Sequence, residues 1–325
     1  MRPLALKGHE RPIRFVKYNR EGDVFVSCAL DKEPTLWRTD TGERIGTYKG
    51  HNGAVWCCDI DSQTRRMVTA GADNTCKIWD VQSGKELFSI QHAVPCRSCE
   101  ISSGDEFFHN CMYPRHGLKP VINVYKFAAD SSQQDSAPVQ RIEAHDDVIT
   151  HAMWNASNTE IVSCSQDTTI CKWDVETGTK LATATGHSKA VNMIQFNADR
   201  THFVSASKDS TAKLWDYKTM KCIKTYKTEA PVNCAAISPL HDHVLTGGGQ
   251  DAADVTTTAG ASGKFEVHLF HKVLEEELDL IKGHFSPVNF VAIAPDGRSF
   301  VTGAEEGYCR LHHFDKTYVD WVDED

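Results

Sequence analysis

The chain has 325 residues, of which 40% are hydrophobic and 24% charged, which suits one large globular domain or two ordinary ones. No apolar run is long enough to cross a bilayer or to form a secretory signal, so we expect a cytoplasmic protein. The net charge of −9 disfavours nucleic-acid binding over the whole surface and is compatible with basic protein partners.

The first predicted element is the strand RPLALK, which precedes the first unit of an internal repeat. Gly-His pairs then recur along the chain, at Gly8-His9, Gly50-His51, Gly186-His187 and Gly283-His284, with Ala144-His145 as a near match. Trp-Asp pairs recur in step with them, at Trp79-Asp80, Trp173-Asp174 and Trp215-Asp216. A period of about 42 residues is typical of repeat architectures built from one small supersecondary unit.

The spacing inside each unit is fixed. An acid follows the histidine by 22 residues, a hydroxyl precedes that acid by four, and a tryptophan follows it by six. The complete sets are His9, Ser27, Asp31 and Trp37; His51, Thr69, Asp73 and Trp79; His145, Ser163, Asp167 and Trp173; and His187, Ser205, Asp209 and Trp215. The last unit has His284, Thr302 and Glu306, with His312 at the tryptophan position. Such groups can form one buried hydrogen-bonded chain, which predicts structural tetrads rather than catalytic sites.

The repeat predicts seven units of four short strands each within a single domain, residues 1–318. We expect a closing strand at 1–7, units at about 8–49, 50–91, 92–143, 144–185, 186–228, 229–282 and 283–315, and an acidic C-terminal tail at 319–325. The third and sixth units are enlarged. VLEEELDL directly precedes the last Gly-His pair, which favours an outer strand over a helix. The segment FDKTYVDWVDED, which leads into this tail, is acidic with spaced aromatic residues, Phe314, Tyr318 and Trp321. It could pack back on the domain or present a short linear motif, and its last four residues are expected to fray.

These sets resemble the WD40 family, in which each repeat forms one four-stranded blade of a β-propeller. The resemblance implies an all-β, seven-bladed WD40 β-propeller. The N-terminal strand would pair in the last blade and close the ring, which removes an open sheet edge.

The sixth unit departs from the pattern at LTGGGQDAADVTTTAGASGKF, where Gln250 replaces the acid and about fourteen residues are added, Asp254 among them. This is not a phosphate-binding loop, because no Gly-Lys-Ser/Thr follows at the required spacing. Its three glycines predict close approach by another backbone. The added segment is either a flexible loop or an ordered interaction loop, and we favour the second.

No motif predicts an enzyme. The sequence has no Gly-x-Ser-x-Gly elbow and no nucleophile–base pair, so we expect no catalytic, cofactor-binding or metal-binding residues. Cys96 and Cys99 form a lone C-x₂-C, but strand geometry predicts that they face opposite sides, which disfavours zinc. The twelve cysteines lie mostly in β-like runs and predict buried free thiols. The insertions MYPRHGLKP and ADSSQQDSAP of the third unit are expected to be exposed and flexible.

Two further acids are candidates for partner binding. Asp216 follows the tryptophan of the fifth unit, and Glu229 lies near the start of the sixth. Together they could form an acidic seam beside an apolar rim, suited to a basic amphipathic helix. The alternative, that each is an ordinary solvated acid, is at least as strong for either residue alone.

Over residues 1 to about 318 the chain is similar to the family of subunit i of eukaryotic translation initiation factor 3, through GGGQ-x-A-x-DVTTT, GKFE, GHERPIRFVKYNREGD and FVSASKDSTAKLWD. The resemblance implies a non-enzymatic cytoplasmic scaffold, a monomeric propeller within a hetero-oligomer, acting as the 43S pre-initiation complex assembles and recruits mRNA. Implied partners are subunit b, through its C-terminal helix, subunit g, and the small ribosomal subunit through the complex. No membrane or direct nucleic-acid contact is implied.

The resemblance places the basic groups of the subunit b helix at Asp216 and Glu229, with Gln250 and Asp254 as further contacts. The alternative function is that of a receptor-kinase-associated WD40 signalling adaptor. The DVTTT and GKFE block favours the translation factor.

Overall fold

The computed structural model describes residues 3–114, 119–249 and 265–321. Within these ranges it has seven four-stranded antiparallel sheets, which are the blades of a β-propeller. The innermost strands of neighbouring blades contact one another all the way round, and the first of them also contacts the last. The predicted all-β, seven-bladed class is therefore confirmed.

The first four blades follow chain order from the innermost strand outward. Blade one contains β2 (Ile13–Tyr18), β3 (Val24–Ala29), β4 (Thr35–Arg38) and β5 (Arg44–Thr47). Blade two contains β6 (Val55–Ile60), β7 (Arg66–Gly71), β8 (Thr75–Asp80) and β9 (Glu86–Gln91). Blade three contains β10 (Cys96–Ile101), β11 (Phe107–Met112), β12 (Val121–Lys126) and β13 (Gln140–Glu143). Blade four contains β14 (Ile149–Trp154), β15 (Glu160–Ser165), β16 (Ile170–Asp174) and β17 (Lys180–Ala184).

The remaining blades complete the ring. Blade five contains β18 (Val191–Phe196), β19 (His202–Ser207), β20 (Thr211–Asp216) and β21 (Cys222–Lys227). Blade six contains β22 (Val232–Ile237), β23 (His243–Gly248), β24 (Val267–His271) and β25 (Glu277–Ile281). Blade seven contains β26 (Val288–Ile293), β27 (Ser299–Ala304), β28 (Tyr308–His313) and β1 (Leu4–Lys7). A single short helix among the described residues, α1 (Lys316–Val319), follows the last blade.

The N-terminal strand closes the ring, as the sequence predicts. β1 pairs antiparallel with β28, with Leu4 opposite Leu311 and Leu6 opposite Cys309. Leu6 is buried, and one of its methyl groups lies only 2.5 Å from where a Cβ on Gly42 of blade one would be. The last blade is thus built from both ends of the chain, and its outer strand also packs against blade one.

The hydrophobic core lies between neighbouring blades. Within each blade the side chains become more exposed from the innermost strand to the outermost one. The inner and middle strands are rich in Val, Ile, Cys, Ala and aromatic residues, which pack well on pleated surfaces, and most of their side chains are buried. The outermost strands, such as β21 and β25, are largely exposed. Eleven of the twelve cysteines are buried free thiols, and Cys222 is exposed.

Every innermost strand carries one β-bulge directly after its first residue. The bulged residues, which we call the bulge ring, are Arg14, Trp56, Arg97, Thr150, Asn192, Asn233 and Asn289. A bulge adds one residue to its strand and re-aims the side chain it carries. All seven side chains line one mouth of the central channel.

The bulge in β10 overturns the expectation for Cys96 and Cys99. Cys96 is opposite Met112 and Cys99 is opposite Asn110, and these two partners lie on the same face of β11. The two cysteines therefore share a face, because the extra residue at Arg97 shifts the alternation. Their thiols nevertheless contact different groups, Met112 Sδ at 3.9 Å and Val68 O at 3.7 Å.

The second insertion of blade three is more ordered than its composition predicts. It contains a short 3-10 turn at Ser131–Gln133, capped by the Asp130 carboxylate, which accepts a hydrogen bond from the Ser132 amide. Gln134 is buried and bonds to the backbone that leads into the segment, accepting from Ala128 N and donating to Lys126 O. The amide side chain thus replaces missing strand pairing.

The glycines that open the sixth-unit insertion are packed tightly, as predicted. A Cβ on Gly248 would lie 2.0 Å from Pro231 O, and one on Gly247 would lie 2.9 Å from Cys234 Sγ. Gly249 has a φ of 135°, a conformation that disfavours side chains. Gln250 and Asp254, with the rest of the insertion through residue 264, lie outside the described residues.

The C-terminal segment packs back on the ring as far as residue 321. The Asp315 carboxylate caps α1 by accepting a hydrogen bond from the Tyr318 amide at 3.0 Å. The Tyr318 ring stacks on Phe314 at 3.8 Å, and its hydroxyl lies 3.0 Å from His243 Nδ1 in blade six. The segment therefore ties blade seven to blade six, which favours packing on the domain over a free linear motif.

Candidate partner-binding surfaces

Four blades contain the complete hydrogen-bonded tetrad. In blade two, Trp79 Nε1 donates to Thr69 Oγ1 at 2.8 Å, Thr69 Oγ1 lies 2.7 Å from His51 Nε2, and His51 Nδ1 lies 2.9 Å from Asp73 Oδ2. The equivalent sets in blades one, four and five have the same bonds, at 2.6 to 2.9 Å. The imidazole is held at both nitrogens, so it is a structural bridge with no free nitrogen for proton transfer.

The acid of each complete tetrad is stabilised in its ionised form. Burial alone would raise the pKa of Asp73, but hydrogen bonds from His51, Thr75 and the Asn52 amide outweigh it and hold that pKa well below its ordinary value. The pKa values of Asp31, Asp167 and Asp209 are lowered in the same way. Because the folded-state pKa is depressed, this stabilisation is present at neutral pH and declines as the pH falls below about 4.

Three blades lack a complete tetrad. In blade three, His92 Nε2 meets Asn110 Nδ2 at 3.1 Å in place of a hydroxyl. In blade six, the buried hydroxyl of Thr246 has no hydrogen-bond partner among the described residues. In blade seven, His312 stacks on Phe300 at 4.4 Å but neither of its ring nitrogens has a described hydrogen-bond partner.

We expect His312→Phe to flatten the dependence of stability on acidity. Burial lowers the pKa of His312 to about 3, below its unfolded value of about 6.5. The wild-type protein therefore loses stability as the pH falls from about 6.5 towards 3, by about 2 kcal/mol at pH 5. Phenylalanine retains the stacked ring and removes the titration.

The measurement is the urea unfolding midpoint at pH 7.5 and pH 5. The matched control is His313→Phe, since His313 is the exposed neighbour on the opposite face of β28. An equal loss between the two pH values in wild type and His312→Phe would show that His312 does not carry it.

The structure does not bring Asp216 and Glu229 together. Thr211 is opposite Lys227 and Trp215 is opposite Cys222, so the two acids lie at opposite ends of the β20–β21 hairpin. About six residues at 3.3 Å each separate these ends, or roughly 20 Å. The expected common acidic seam is therefore wrong, and each acid stands as a separate candidate. Asp216 Oδ1 also accepts bonds from Thr219 N and Oγ1, at 2.6 and 2.5 Å.

A second candidate surface, with more residues than the two separate acids, lies on the outer side of blade six. The sequence predicts an outer strand there but no partner-binding residue. Val273 and Leu274 are exposed in the β24–β25 turn, the latter by 61%, and Leu278 and Leu280 are exposed along β25, where a bulge at Leu278 breaks the alternation of faces. Ile223 of β21 is also exposed. We call these five residues the outer apolar surface.

The two blades that share this surface are in contact. Lys224 Nζ of β21 lies 3.5 Å from Glu275 Oε1 in the β24–β25 turn, and the Tyr226 hydroxyl donates to Lys272 O at 2.7 Å. Acids border the apolar side chains: Glu275, Glu276, Glu277 and Asp279. Exposed apolar side chains grouped among acids are typical of a protein-binding site. VLEEELDL contained the signal for this surface, because it places leucines among acids on a strand predicted to be outermost.

No group of three or more His, Cys, Asp or Glu in the part of the chain that the structure describes could hold a metal ion. No helix there is long and apolar enough to cross a membrane.

Seven four-stranded sheets in a ring, with His–Ser/Thr–Asp–Trp tetrads inside the blades, define a WD40 β-propeller. The EIF3I family model matches residues 1–324. The chain is 44% identical over 322 residues to eukaryotic translation initiation factor 3 subunit I of Drosophila melanogaster, covering 98% of this chain and 99% of that protein. Identity to the protein of the same name from Danio rerio is 41% over 321 residues, covering 99% of each.

The chain therefore belongs to the subunit I family of eukaryotic translation initiation factor 3. The protein from Nematostella vectensis, 43% identical over 320 residues, carries the same name. The predicted family is confirmed, and a role in translation initiation follows from it. The signalling-adaptor alternative is not favoured.

Proposed function

We propose that the chain is a non-enzymatic scaffold subunit of eukaryotic translation initiation factor 3. It would hold other subunits in fixed relative positions on the small ribosomal subunit in the cytoplasm while the 43S complex forms and recruits mRNA. The observation that carries this proposal is the family match along nearly the whole propeller. Expected partners are subunit b, through its C-terminal helix, and subunit g.

A closed propeller suits this task, because it offers large surfaces with little internal freedom. The tetrads tie loops and strands together inside the blades, and β1 and α1 fasten the two chain ends to the ring. A partner bound to such a surface is held in one orientation, since rigid surfaces lose little conformational entropy on binding.

We further propose that the outer apolar surface binds the subunit b helix. An amphipathic helix presents an apolar stripe that could cover Leu274, Leu278 and Leu280, while its basic flanks would meet Glu276 and Asp279. The complementary charges favour this occupant over an acidic segment. A helix of about 20 residues spans about 30 Å, so it could also reach one end of the β20–β21 hairpin.

The central test is the double charge reversal Glu276→Lys with Asp279→Lys, assayed by binding to a peptide of the subunit b C-terminal helix. Both acids are exposed, so the fold should survive. We expect affinity to fall by about tenfold or more at low salt and by less at high salt, because rim charges are screened. Isothermal titration calorimetry at two salt concentrations gives the measurement.

The matched control is Glu21→Lys with Glu106→Lys, which makes the same charge change at exposed turns of blades one and three. Equal loss of affinity in both double variants would reduce the effect to net charge. Unchanged affinity in the Glu276/Asp279 variant would place the helix elsewhere on the propeller.

The two acids named from the sequence are tested separately. Asp216→Lys also removes the carboxylate that holds the β20–β21 turn, so its melting temperature is measured beside its affinity. Weaker binding with Glu229→Lys alone would extend the binding site to the loop between β21 and β22, where Glu229 lies.

The scaffold role itself is tested by sedimentation. We expect the tagged chain to travel with initiation factor 3 and the small ribosomal subunit in a sucrose gradient of a cell extract. A chain that stays at the top of the gradient, and is captured instead with a receptor kinase, would favour the signalling-adaptor alternative.

A further inference from the structure

Four members of the bulge ring join each blade to the next. Their side chains donate to the backbone carbonyl directly before the next bulged residue: Thr150 to Val191 O at 2.6 Å, Asn192 to Val232 O at 2.8 Å, Asn233 to Val288 O at 3.1 Å, and Asn289 to Ile13 O at 2.8 Å. These bonds run without a break from blade four through blade seven to blade one. A structural role therefore accounts for these four residues.

The other three members do not continue this pattern. Arg14 pairs with Glu305, Nη1 to Oε1, at 2.9 Å. The Arg97 guanidinium lies over the Trp56 ring, 5.1 Å from its centroid. No carboxylate or carbonyl oxygen in residues 3–114, 119–249 and 265–321 accepts a hydrogen bond from Arg97.

Arg97 is half-buried in the channel mouth, where its guanidinium has no carboxylate partner among the described residues. Burial in the channel lowers the pKa of its guanidinium, and the neighbouring charge of Arg14 lowers it further. A partly buried charge gains more from an oppositely charged partner than an exposed one does, and a planar oxyanion can pair with a guanidinium through a strong bidentate interaction. The free protein therefore keeps an arginine that its own described residues do not satisfy.

The cavity beside Arg97 sets the size and polarity of what could satisfy it. Its volume is about 220 Å³, below the 300 Å³ or more that is usual for whole small-molecule ligands. The rings of Phe15 and Phe290, whose centroids are 4.2 Å apart, are among the groups that line the cavity. Gln166 and Lys208 also line the cavity and add polar donors beside the guanidinium.

We propose that this channel mouth binds the carboxylate side chain of an aspartate or glutamate from an acidic partner peptide. The carboxylate would accept two hydrogen bonds from Arg97, with Lys208 near it, while the Trp56 ring covers the adjoining apolar atoms. A nucleic-acid backbone is disfavoured, because Arg14 is already neutralised by Glu305 and the chain has a net charge of −9. This site is separate from the outer apolar surface, which is bordered by acids and would bind a basic partner instead of an acidic one.

The test uses three fluorescein-labelled peptides, each an eight-residue glycine–serine chain with two central residues that are aspartate, asparagine or phosphoserine. We expect the aspartate peptide to bind the full-length protein and the asparagine peptide not to bind, by fluorescence anisotropy. Arg97→Gln should lose about 30-fold or more in affinity, because the carboxylate loses its main partner. Arg97→Lys should be intermediate, since it keeps the charge but not the planar fork.

A second readout separates binding from a structural role. Arg97→Gln should change the melting temperature only slightly, because the one interaction that it removes among the described residues is the contact of the guanidinium with the Trp56 ring. If this variant does not fold, Lys208→Gln at the exposed rim serves instead, with an expected loss of a few-fold.

The matched control is Arg20→Gln, which removes an exposed arginine at the opposite mouth of the channel and should leave binding unchanged. Three results would overturn the proposal: equal binding of the aspartate and asparagine peptides, an equal loss in Arg20→Gln and Arg97→Gln, or binding of the phosphoserine peptide alone. The last would assign the site to phosphate rather than carboxylate.

Discussion

Replacing Trp79 with alanine is expected to lower the free energy of unfolding by about 3–5 kcal/mol, the usual range for removing a fully buried aromatic side chain. Trp79 has no exposed surface, and its ring fills the space beside Gly50, where a Cβ would approach it within 3.0 Å. The substitution also removes the indole N–H that donates to Thr69. Since domains are stable by only about 5–15 kcal/mol, we expect a large fall in the urea midpoint.

Two further substitutions separate packing from hydrogen bonding. Trp79→Phe keeps most of the apolar surface but loses the bond to Thr69, and Thr69→Val keeps the side-chain shape but leaves both Trp79 and His51 without their partner. A double-mutant cycle with these two should give a coupling of about 1 kcal/mol or more, because the groups form one network.

The control for Trp79→Ala is Trp321→Ala, which removes the same residue type from an exposed position. It should cost less than about 1 kcal/mol. A similar loss in both variants would show that the tetrad tryptophan contributes no more than a surface ring.

The tetrads could be predicted from the sequence because hairpin geometry fixes their spacing. A histidine, a hydroxyl 18 residues later and an acid 22 residues later lie on consecutive parts of one blade, so the same spacing gives the same contacts in blades one, two, four and five. Ring closure could also be predicted, since β1 precedes the first unit and β28 would otherwise lie at an edge.

The candidate contact residues were harder to place, because proximity in sequence does not measure distance across a twisted hairpin. Asp216 and Glu229 are 13 residues apart in the chain but lie at opposite ends of β20 and β21. The outer apolar surface depends on contact between the outer strand of one blade and a turn of the next. No spacing within a single unit reports that contact.

The positions of the bulge ring follow a regular spacing in the sequence, but the spacing could be interpreted only once the structure showed the bulges. Each bulged residue of blades one to five follows its unit's histidine by five positions, as Arg14 follows His9 and Arg97 follows His92. This constant spacing predicts that the bulged residues lie at equivalent positions in their blades, and therefore at the same mouth of the channel. Their different roles depend on which carbonyl lies within reach, and a bulge changes that by one residue.

Leu6→Asp is expected to open the propeller at its closing strand. Leu6 is buried against blade one, and placing an ionised carboxylate there costs several kcal/mol. That penalty cannot exceed the free energy that holds β1 in place, because the strand can detach and return the carboxylate to water. Detachment exposes the unpaired edge of β28, so we expect a lower melting temperature and concentration-dependent association of the variant.

Leu4→Asp is the matched control, because Leu4 lies on the same strand but is 40% exposed, and it should change neither property by much. Hydrogen exchange gives the local measurement: the amides of β28 that bond to β1 should lose protection in Leu6→Asp while those of β27 keep it. A synthetic peptide of residues 1–8 should restore protection when added in trans, because it supplies the missing strand. Retained protection of β28 in Leu6→Asp would show that the ring is closed by its inner strands alone.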